Sequence, residues 1–240
     1  NRGIKALDPQ QAFKELSPVI QGRLNHLLKV FLNENKNINL SAHRTEESCW
    51  MGNILDSIAC LPVMQQLSII NFQFSILDLG TGGGFPLLPL AILFAEHHFT
   101  GLDSVRKKMD AVSRIVSSLN LSNVTLVTGR AEETGRDPTH RETYDIVTAR
   151  AVAETALLLE YCAPFVKKGG HILLWKSMEI DEEISSASGA EAKLFLKRLD
   201  PIIYDLGDTW GKRQILVYEK TKATPKEYPR SVGTAKKHLL

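Results

Sequence analysis

The feature that most constrains the fold is a glycine-rich loop that separates an apolar run from a helical one. The loop reads Asp78-Leu-Gly80-Thr-Gly82-Gly-Gly84-Phe85-Pro86. Residues 76–79 before it predict a buried strand, and residues 87–95 after it predict a helix that Pro86 begins. Glycines at a strand-to-helix turn let the backbone approach a bound nucleotide without a clash from Cβ. The loop therefore predicts an α/β fold that binds a nucleotide at this turn.

The spacing of the glycines indicates which nucleotide fits. A dinucleotide-binding GxGxxG pattern that started at Gly80 would need glycine at Phe85. One that started at Gly82 would need glycine at Leu87. The DxGxGxG spacing resembles instead the loop of class I S-adenosylmethionine-dependent methyltransferases. The negative charge of Asp78 would repel a pyrophosphate, but it suits the ammonium and sulfonium groups of S-adenosylmethionine.

Short apolar runs and helical stretches alternate after the loop. Strands are predicted at 99–103, 124–127, 144–148 and 170–175, and an antiparallel hairpin is predicted at 202–204 and 215–218. This alternation predicts a Rossmann-like, mostly parallel seven-stranded sheet with helices on both faces. Helical runs at 8–32 and 50–67, separated by a polar stretch at 33–39, predict an N-terminal helical extension. The predicted division is an extension at 1–70, a methyltransferase domain at 71–220 and a basic arm at 221–240.

Two further turns carry groups suited to the rest of the cofactor. The second strand ends in Asp103-Ser104, where a carboxylate can accept hydrogen bonds from both ribose hydroxyls. The alternative for Asp103 is an N-cap of the following helix. The turn after the third strand, with Ala131 and Glu132, is expected to meet the adenine.

Composition places the chain among ordinary globular proteins, since 43% of its residues are hydrophobic and 23% are charged. No apolar run is long enough to span a membrane, and the N-terminus lacks the pattern of a secretory signal. The three cysteines are far apart and predict neither a metal site nor a disulfide. The predicted compartment is the cytoplasm, or a plastid if a transit segment preceded this sequence.

Positive charge is concentrated near the C-terminus. The net charge is only +2, but the last 21 residues contain six Lys or Arg and one Glu. This composition predicts an extended basic arm that contacts RNA phosphates. A solvated terminus, or a segment packed on the domain, is the alternative.

The residues after the fourth strand indicate the kind of methyl acceptor. They read Thr148-Ala-Arg150-Ala-Val152, without the Pro-Pro-aromatic motif typical of amino-methyltransferases. No cysteine that could attack a pyrimidine ends a predicted strand. Guanine N7 needs neither device, because its lone pair attacks the methyl group directly. Arg150 is expected to hold the guanine O6 edge or a phosphate, or else to pair with an acid.

Taken in order, the motifs resemble those of the RsmG (glucose-inhibited division protein B) family of 16S ribosomal RNA guanine-N7 methyltransferases. They are Asn39-Leu-Ser-Ala42, Ile54-Leu-Asp-Ser57, the glycine loop, Leu102-Asp-Ser104, Lys107-Lys108, Gly129-Arg-Ala-Glu-Glu133, Thr148-Ala-Arg-Ala151, Leu174-Trp-Lys176, Thr224-Pro-Lys-Glu-Tyr-Pro-Arg230 and Gly233-Thr234. This chain departs from the family pattern at four positions. It has Asn53 where the family usually has His, Ser177 where it usually has Gly, and Ala235 and His238 where proline is common.

The resemblance implies the residues of the site. The cofactor-binding set is Asp78, Gly80, Gly82, Gly84, Phe85, Asp103, Ser104, Ala131, Glu132 and Arg150. The catalytic, RNA-facing set is Arg150, Lys176, Asn39 and His43, and no metal is expected. N7 chemistry does not require His43 as a general base.

The same resemblance implies S-adenosylmethionine as cofactor, small-subunit ribosomal RNA as partner and a monomeric enzyme. The alternatives are a non-catalytic RNA-binding assembly factor and a nicotinamide-dependent oxidoreductase on a similar fold.

Overall fold

A computed structural model describes residues 6–68, 73–150 and 153–240, and within them eight strands form one sheet. The strands are β1 (Ser75–Leu79), β2 (His98–Asp103), β3 (Val124–Thr128), β4 (Tyr144–Ala149), β5 (Val166–Ser177), β6 (Leu196–Arg198), β7 (Ile202–Asp205) and β8 (Lys212–Lys220). Their order is β3-β2-β1-β4-β5-β8-β6, and β7 also pairs with β8. Strands β1 to β5 are parallel, whereas β8 is antiparallel to β5.

The predicted seven-stranded layout holds, but two short strands share its last position. Leu196 pairs with Lys220 at one end of β8, and Ile202 pairs with Ile215 nearer the other. Pro201, which has no N–H to donate, lies between the two short strands. The sequence did not predict β6 because it is only three residues long and two of them are charged.

Helices cover both faces of the sheet. They are α1 (Pro9–Glu15), α2 (Pro18–Asn37), α3 (Glu46–Cys49), a π-helix (Trp50–Leu55), α4 (Asp56–Ile58), α5 (Leu61–Ser68), α6 (Leu87–Leu93), α7 (Arg106–Ser118), α8 (Ala131–Thr134), α9 (Thr155–Cys162), α10 (Asp181–Ser186), α11 (Ser188–Lys193) and α12 (Thr234–Lys237). Within the described ranges, none is long and apolar enough to cross a membrane.

The N-terminal extension shares its core with the sheet domain. Phe31 of α2 belongs to the same buried cluster as Phe85 and Val112. Asp8 caps α1 as expected, accepting the N–H of Gln10 at 2.9 Å. The predicted boundary at 70/71 lies outside the described residues.

The polar stretch at 33–39 does not break the helix where the sequence predicted, because α2 continues to Asn37. Asn35 is buried, and its Oδ1 accepts the backbone N–H of Leu40 at 2.8 Å and of Ser41 at 3.0 Å. A polar residue in this stretch therefore organises the turn that follows the helix.

The prediction of an extended C-terminal arm is wrong, because the segment packs on the domain. Lys220 is fully buried, and its Nζ donates to Glu142 Oε1 at 2.5 Å. Arg141 donates to the carbonyls of Thr224 at 3.0 Å and Tyr228 at 2.8 Å. Buried charges need such partners, so Lys220 stabilises the fold and Arg141 of the domain fixes the segment in place. Lys222, Lys226, Lys236 and Lys237 of the segment are exposed.

Candidate functional site

The glycine loop folds back over the end of β2. The Gly80 N–H donates to the Leu102 carbonyl at 2.8 Å. Gly80 has φ +69°, and no atom lies within 4 Å of where a Cβ would stand, so its outer side is open. Gly84 has φ +92°, and a Cβ there would lie 2.5 Å from Leu88 Cδ1. Packing therefore requires glycine at 84, whereas at 80 the backbone conformation and access to a ligand favour it.

Asp103 connects the turn after β2 to the glycine loop. Its Oδ2 accepts the Gly82 N–H at 2.9 Å, and its Oδ1 accepts the Val105 N–H at 2.9 Å. Val105, not Asp103, is the N-cap residue of α7, so the helix-cap alternative does not hold. Ser104, beside it, is exposed. The predicted ribose contact would add to the bonds that Asp103 already makes.

Asp78 is a buried carboxylate at the end of β1. Its Oδ1 accepts the Thr148 hydroxyl at 2.8 Å. Its Oδ2 is buried, and no hydrogen bond of ordinary geometry from the described residues reaches it. Burial raises the pKa of Asp78 to about 6, although the neighbouring Thr81 and Thr148 hydroxyls oppose the shift.

These groups fit S-adenosylmethionine. The unsatisfied Oδ2 of Asp78 is an acceptor for a cationic group, and such an atom in a buried place calls for a partner. The open side of Gly80 leaves room for a ligand against the backbone. The Asp103 carboxylate lies against the same loop, through its bond to Gly82.

The turn after β3 forms hydrogen bonds with α9 and with the C-terminal segment. Ala131 begins α8, and the buried Glu132 follows it. Glu132 Oε1 accepts the Tyr161 hydroxyl at 3.1 Å and the Gly233 N–H at 3.3 Å. The C-terminal segment therefore reaches the turn at which adenine is predicted to bind, and the adenine contact stays a prediction.

Arg150 lies between the glycine loop and a polar cavity. Its guanidinium carbon is 5.8 Å from the centre of the Phe85 ring, which itself packs edge-on against Phe31 at 4.7 Å. Its nitrogens donate to the carbonyl of Gly52 at 2.6 Å and to Asp56 Oδ2 at 2.8 Å. Arg150 thus pairs with an acid, as one alternative predicted, while it also contacts the loop.

The cavity beside Arg150 has a volume of about 530 Å³. Three residues of the predicted RNA-facing set, His43, Arg150 and Lys176, line it. Lys176 donates to the Ala153 carbonyl at 2.6 Å and forms an ion pair with Glu183. Three of the four predicted side chains therefore meet in one place.

Asn39, the fourth, does not line this cavity among the residues described. It is exposed, and its Oδ1 accepts Arg44 Nη2 at 3.1 Å. Its contact with RNA stays a prediction.

Asp56 is the central acceptor of the hydrogen bonds that surround the cavity. The sequence analysis assigned it no role. Its Oδ1 accepts the Tyr204 hydroxyl at 2.6 Å and lies 3.4 Å from Arg213 Nη1, and its carbonyl accepts Trp175 Nε1 at 2.8 Å. The available signal was a lone acid within an apolar helical run, because a buried carboxylate requires cationic or hydrogen-bonding partners. Those partners lie 94 to 157 residues away in sequence.

His43 is neutral near pH 7 in this setting. Burial lowers its pKa, and the positive charges of Arg150 and Arg213 lower it further, whereas Asp56 acts in the opposite direction. Its ring centre is 5.3 Å from that of Trp210. His43 therefore contributes a ring and no net charge to the cavity.

Two departures from the family pattern also line the cavity. Asn53 Oδ1 accepts Arg150 Nη2 at 2.8 Å, and its Nδ2 donates to Ser41 Oγ at 3.2 Å. Ser177 is exposed at the end of β5. In the tail, Ala235 is buried and the His238 carbonyl accepts Arg230 Nη2 at 2.6 Å.

Solved structures share the fold. A putative methyltransferase from Bacillus halodurans is 15% identical, with a TM-score of 0.51 over 68% of this chain and 99% of that one. Methanococcus jannaschii TYW2 in complex with AdoMet is 18% identical, with a TM-score of 0.50 over 68% of this chain and 76% of that one. The predicted class I methyltransferase fold is confirmed.

Sequence relatives are closer. Residues 20–200 match the family described as rRNA small subunit methyltransferase G (GidB). The protein of that name from Lactococcus lactis subsp. cremoris is 43% identical over 85% of this chain and 84% of its own length. That from Staphylococcus saprophyticus is 37% identical over 94% of this chain and 92% of its own length. This chain belongs to the rRNA small subunit methyltransferase G family.

Proposed function

We propose that the protein transfers a methyl group from S-adenosylmethionine to N7 of a guanine in small-subunit ribosomal RNA. The observation that carries the proposal is the position of Arg150. Its guanidinium lies over Phe85 of the glycine loop and bonds to Gly52 and Asp56 in the cavity wall. The loop for the methyl donor and a cavity for a base are therefore separated by one side chain.

When bound, S-adenosylmethionine supplies an electrophilic methyl carbon, whose bond to sulfur breaks as its bond to guanine N7 forms. N7 carries a lone pair and no proton, so no residue has to act as a base. The residues of this chain then contribute orientation and electrostatics. A neutral His43 agrees with this reading, because it adds no positive charge beside a base that becomes cationic.

Most of the positive charge that lines the cavity is paired with carboxylates, and one lysine is left to bind a polyanion. Arg150 and Arg213 share the Asp56 carboxylate, and Lys176 pairs with Glu183. Lys212 is exposed at the cavity edge, and its amine forms no ion pair within the described part of the chain. Such a cation is suited to an RNA phosphate, which attracts Lys and Arg without regard to sequence.

The experiment is methyl transfer in vitro from labelled S-adenosylmethionine to ribosomal particles from cells that lack this gene. We expect label in small-subunit RNA and strand cleavage at one guanine after borohydride and aniline treatment, which is selective for 7-methylguanine. Label at another atom, or none with any RNA, would refute the proposal. Parallel titrations with S-adenosylmethionine and NADH separate this enzyme from the oxidoreductase and the inactive assembly factor.

Three expectations accompany the proposal. We expect a monomer, a boundary near residue 70, and action in the bacterial cytoplasm, where the ribosomes of its bacterial relatives work. Light scattering of the purified protein tests the first, and limited proteolysis tests the second.

A further inference from the structure

The turn between β7 and β8 holds Trp210 in a fixed position. The Trp210 N–H donates to the Gly207 carbonyl at 3.0 Å, and the Gly211 N–H donates to the same oxygen at 2.7 Å. Gly207 and Gly211 have φ of +91° and +69°, which allow this tight closure. These bonds define the backbone at Trp210, whose indole lines the cavity beside Arg150.

Gly52 connects the indole to Arg150. A Cβ at Gly52 would lie 2.8 Å from Trp210 Cζ3 and 2.5 Å from His43 Nε2, so both rings lie directly against the backbone here. The carbonyl of the same Gly52 accepts Arg150 Nη1 at 2.6 Å. Gly52 therefore contacts both side chains: its Cα faces the Trp210 indole, and its carbonyl bonds to the Arg150 guanidinium.

The two rings leave a usable aromatic face. The planes of His43 and Trp210 are inclined by 57°, so the rings do not cover each other as a parallel stack would. Trp210 is half-buried, whereas Trp175 and Tyr204, which also line the cavity, are buried and donate to Asp56. Among the described aromatic residues that line the cavity, Trp210 is the only tryptophan or tyrosine that is not buried.

The cations of the cavity are less suited than an aromatic ring to the flat face of a base. Lys212 carries a compact point charge that suits a phosphate, and the other three are engaged. Arg150, Arg213 and Lys176 are already paired with carboxylates. A purine presents a broad π-face, and aromatic side chains are the groups that bind such faces in proteins that grip unpaired bases. Guanine also gains positive charge when N7 is methylated, and an indole face attracts cations.

We propose that Trp210 is the surface on which the acceptor guanine stacks, an inference that rests on the proposed function. Stacking would orient N7 toward the donor loop and favour the cationic product over the neutral substrate. The residue to its C-terminal side, Gly211, begins the path into β8, so the wall is supplied by a hairpin turn and not by the glycine loop. Trp210 is therefore a specificity residue separate from donor binding.

The test uses the full chain with the substitutions Trp210→Ala, Trp210→Leu and Trp210→Phe. We expect Trp210→Ala and Trp210→Leu to lower kcat/KM for ribosomal particles by about 5- to 150-fold, the cost of one lost base stack. Trp210→Phe keeps an aromatic face and should stay within about threefold of the wild type. Affinity for S-adenosylmethionine should be unchanged in all three. The leucine variant keeps an apolar side chain in the turn if alanine impairs folding.

A fluorescence titration with 7-methylguanosine 5′-monophosphate supplies a direct readout. At a ligand concentration that saturates the wild type, we expect quenching in the wild type and in Trp50→Phe, and much weaker quenching in Trp210→Leu, which lacks the stacking face although Trp175 still lines the cavity. Trp50 is the matched control, because it packs edge-on against Phe13 at 4.7 Å in the extension.

Full kcat/KM and full quenching in Trp210→Leu would overturn the inference. Methylation by the wild type would still uphold the proposed function in that case. A wild type that methylates no RNA would overturn the proposed function itself.

Discussion

Arg230 and Glu160 form a bidentate ion pair that fixes the C-terminal segment to α9. Arg230 Nη2 lies 2.6 Å from Glu160 Oε2, and its Nε lies 2.9 Å from Oε1. Glu160 is 1% exposed, so this arginine is its compensating charge. Gly233 follows Arg230 by three residues, and its N–H donates to Glu132 Oε1 in the turn at which adenine is predicted to bind.

We expect Arg230→Ala to lower the free energy of unfolding by about 3–5 kcal/mol, because it leaves Glu160 buried and unpaired. Lys236→Ala removes the same charge from an exposed position of the same segment and should change stability by less than about 0.5 kcal/mol. Denaturant titration measures both. Equal stability of the two variants would show that the ion pair does not hold the segment.

The glycine at 80 provides a second prediction. Gly80→Ala should weaken S-adenosylmethionine binding at least about tenfold, since a Cβ would occupy the open side of the loop. Gly169→Ala is the matched control, because Gly169 also has positive φ, at +80°, and open surroundings, but lies near the start of β5. Both variants should lose about 1–2 kcal/mol of stability from the left-handed backbone. Calorimetry that found equal cofactor affinity would remove Gly80 from the site.

Asp103→Ala should weaken cofactor binding about 10- to 150-fold, the cost of charge-assisted hydrogen bonds to the ribose together with a loosened Gly82. Asp110→Ala removes the same charge from an exposed position of α7 and should leave affinity unchanged. If the melting temperature of Asp103→Ala falls while its affinity holds, the residue only organises the turn.

Asp78 makes stability depend on pH. Its pKa is raised from 3.8 to about 6, so the folded state holds the proton more tightly than the unfolded state does. The penalty for ionising it is absent below pH 3.8 and complete above pH 6. Relative to Asp78→Asn, the cofactor-free wild type should therefore gain about 1.4 kcal/mol of stability between pH 7.5 and pH 5. A constant difference across this range would show that Asp78 has an ordinary pKa.

Sequence reasoning succeeded where a residue acts through its place on a strand or turn. The glycine loop, Asp103 and Arg150 all follow predicted strands, and the carboxyl ends of parallel strands meet at one edge of the sheet. Their proximity therefore follows from the order of elements. His43 and Lys176 were placed by the family resemblance, and the structure brings them to the same cavity.

Sequence reasoning failed where a partner is remote. Asp56 meets Arg213 across 157 residues, and nothing local to either residue indicates the other. The tail shows the same difficulty at one position. A Lys-rich composition predicts solvent exposure, which holds for the other four lysines, whereas Lys220 is fully buried against Glu142. Composition describes the average behaviour of such residues, and a specific partner overrides it.

The antiparallel direction of β8 allows the cavity wall and the glycine loop to change separately over evolution. Because β8 runs against β5, its first residues and the turn before them lie beside Lys176, with Gln214 paired to that residue. This turn is a surface hairpin with no crossover helix attached, and lengthening such a loop costs little, only about 0.6 kcal/mol per doubling. Insertions or exchanges at 206–211 would reshape the cavity wall at which we propose that RNA binds, while the turns after β1 and β2 stay as they are. Acceptor preference can therefore be inherited independently of donor chemistry.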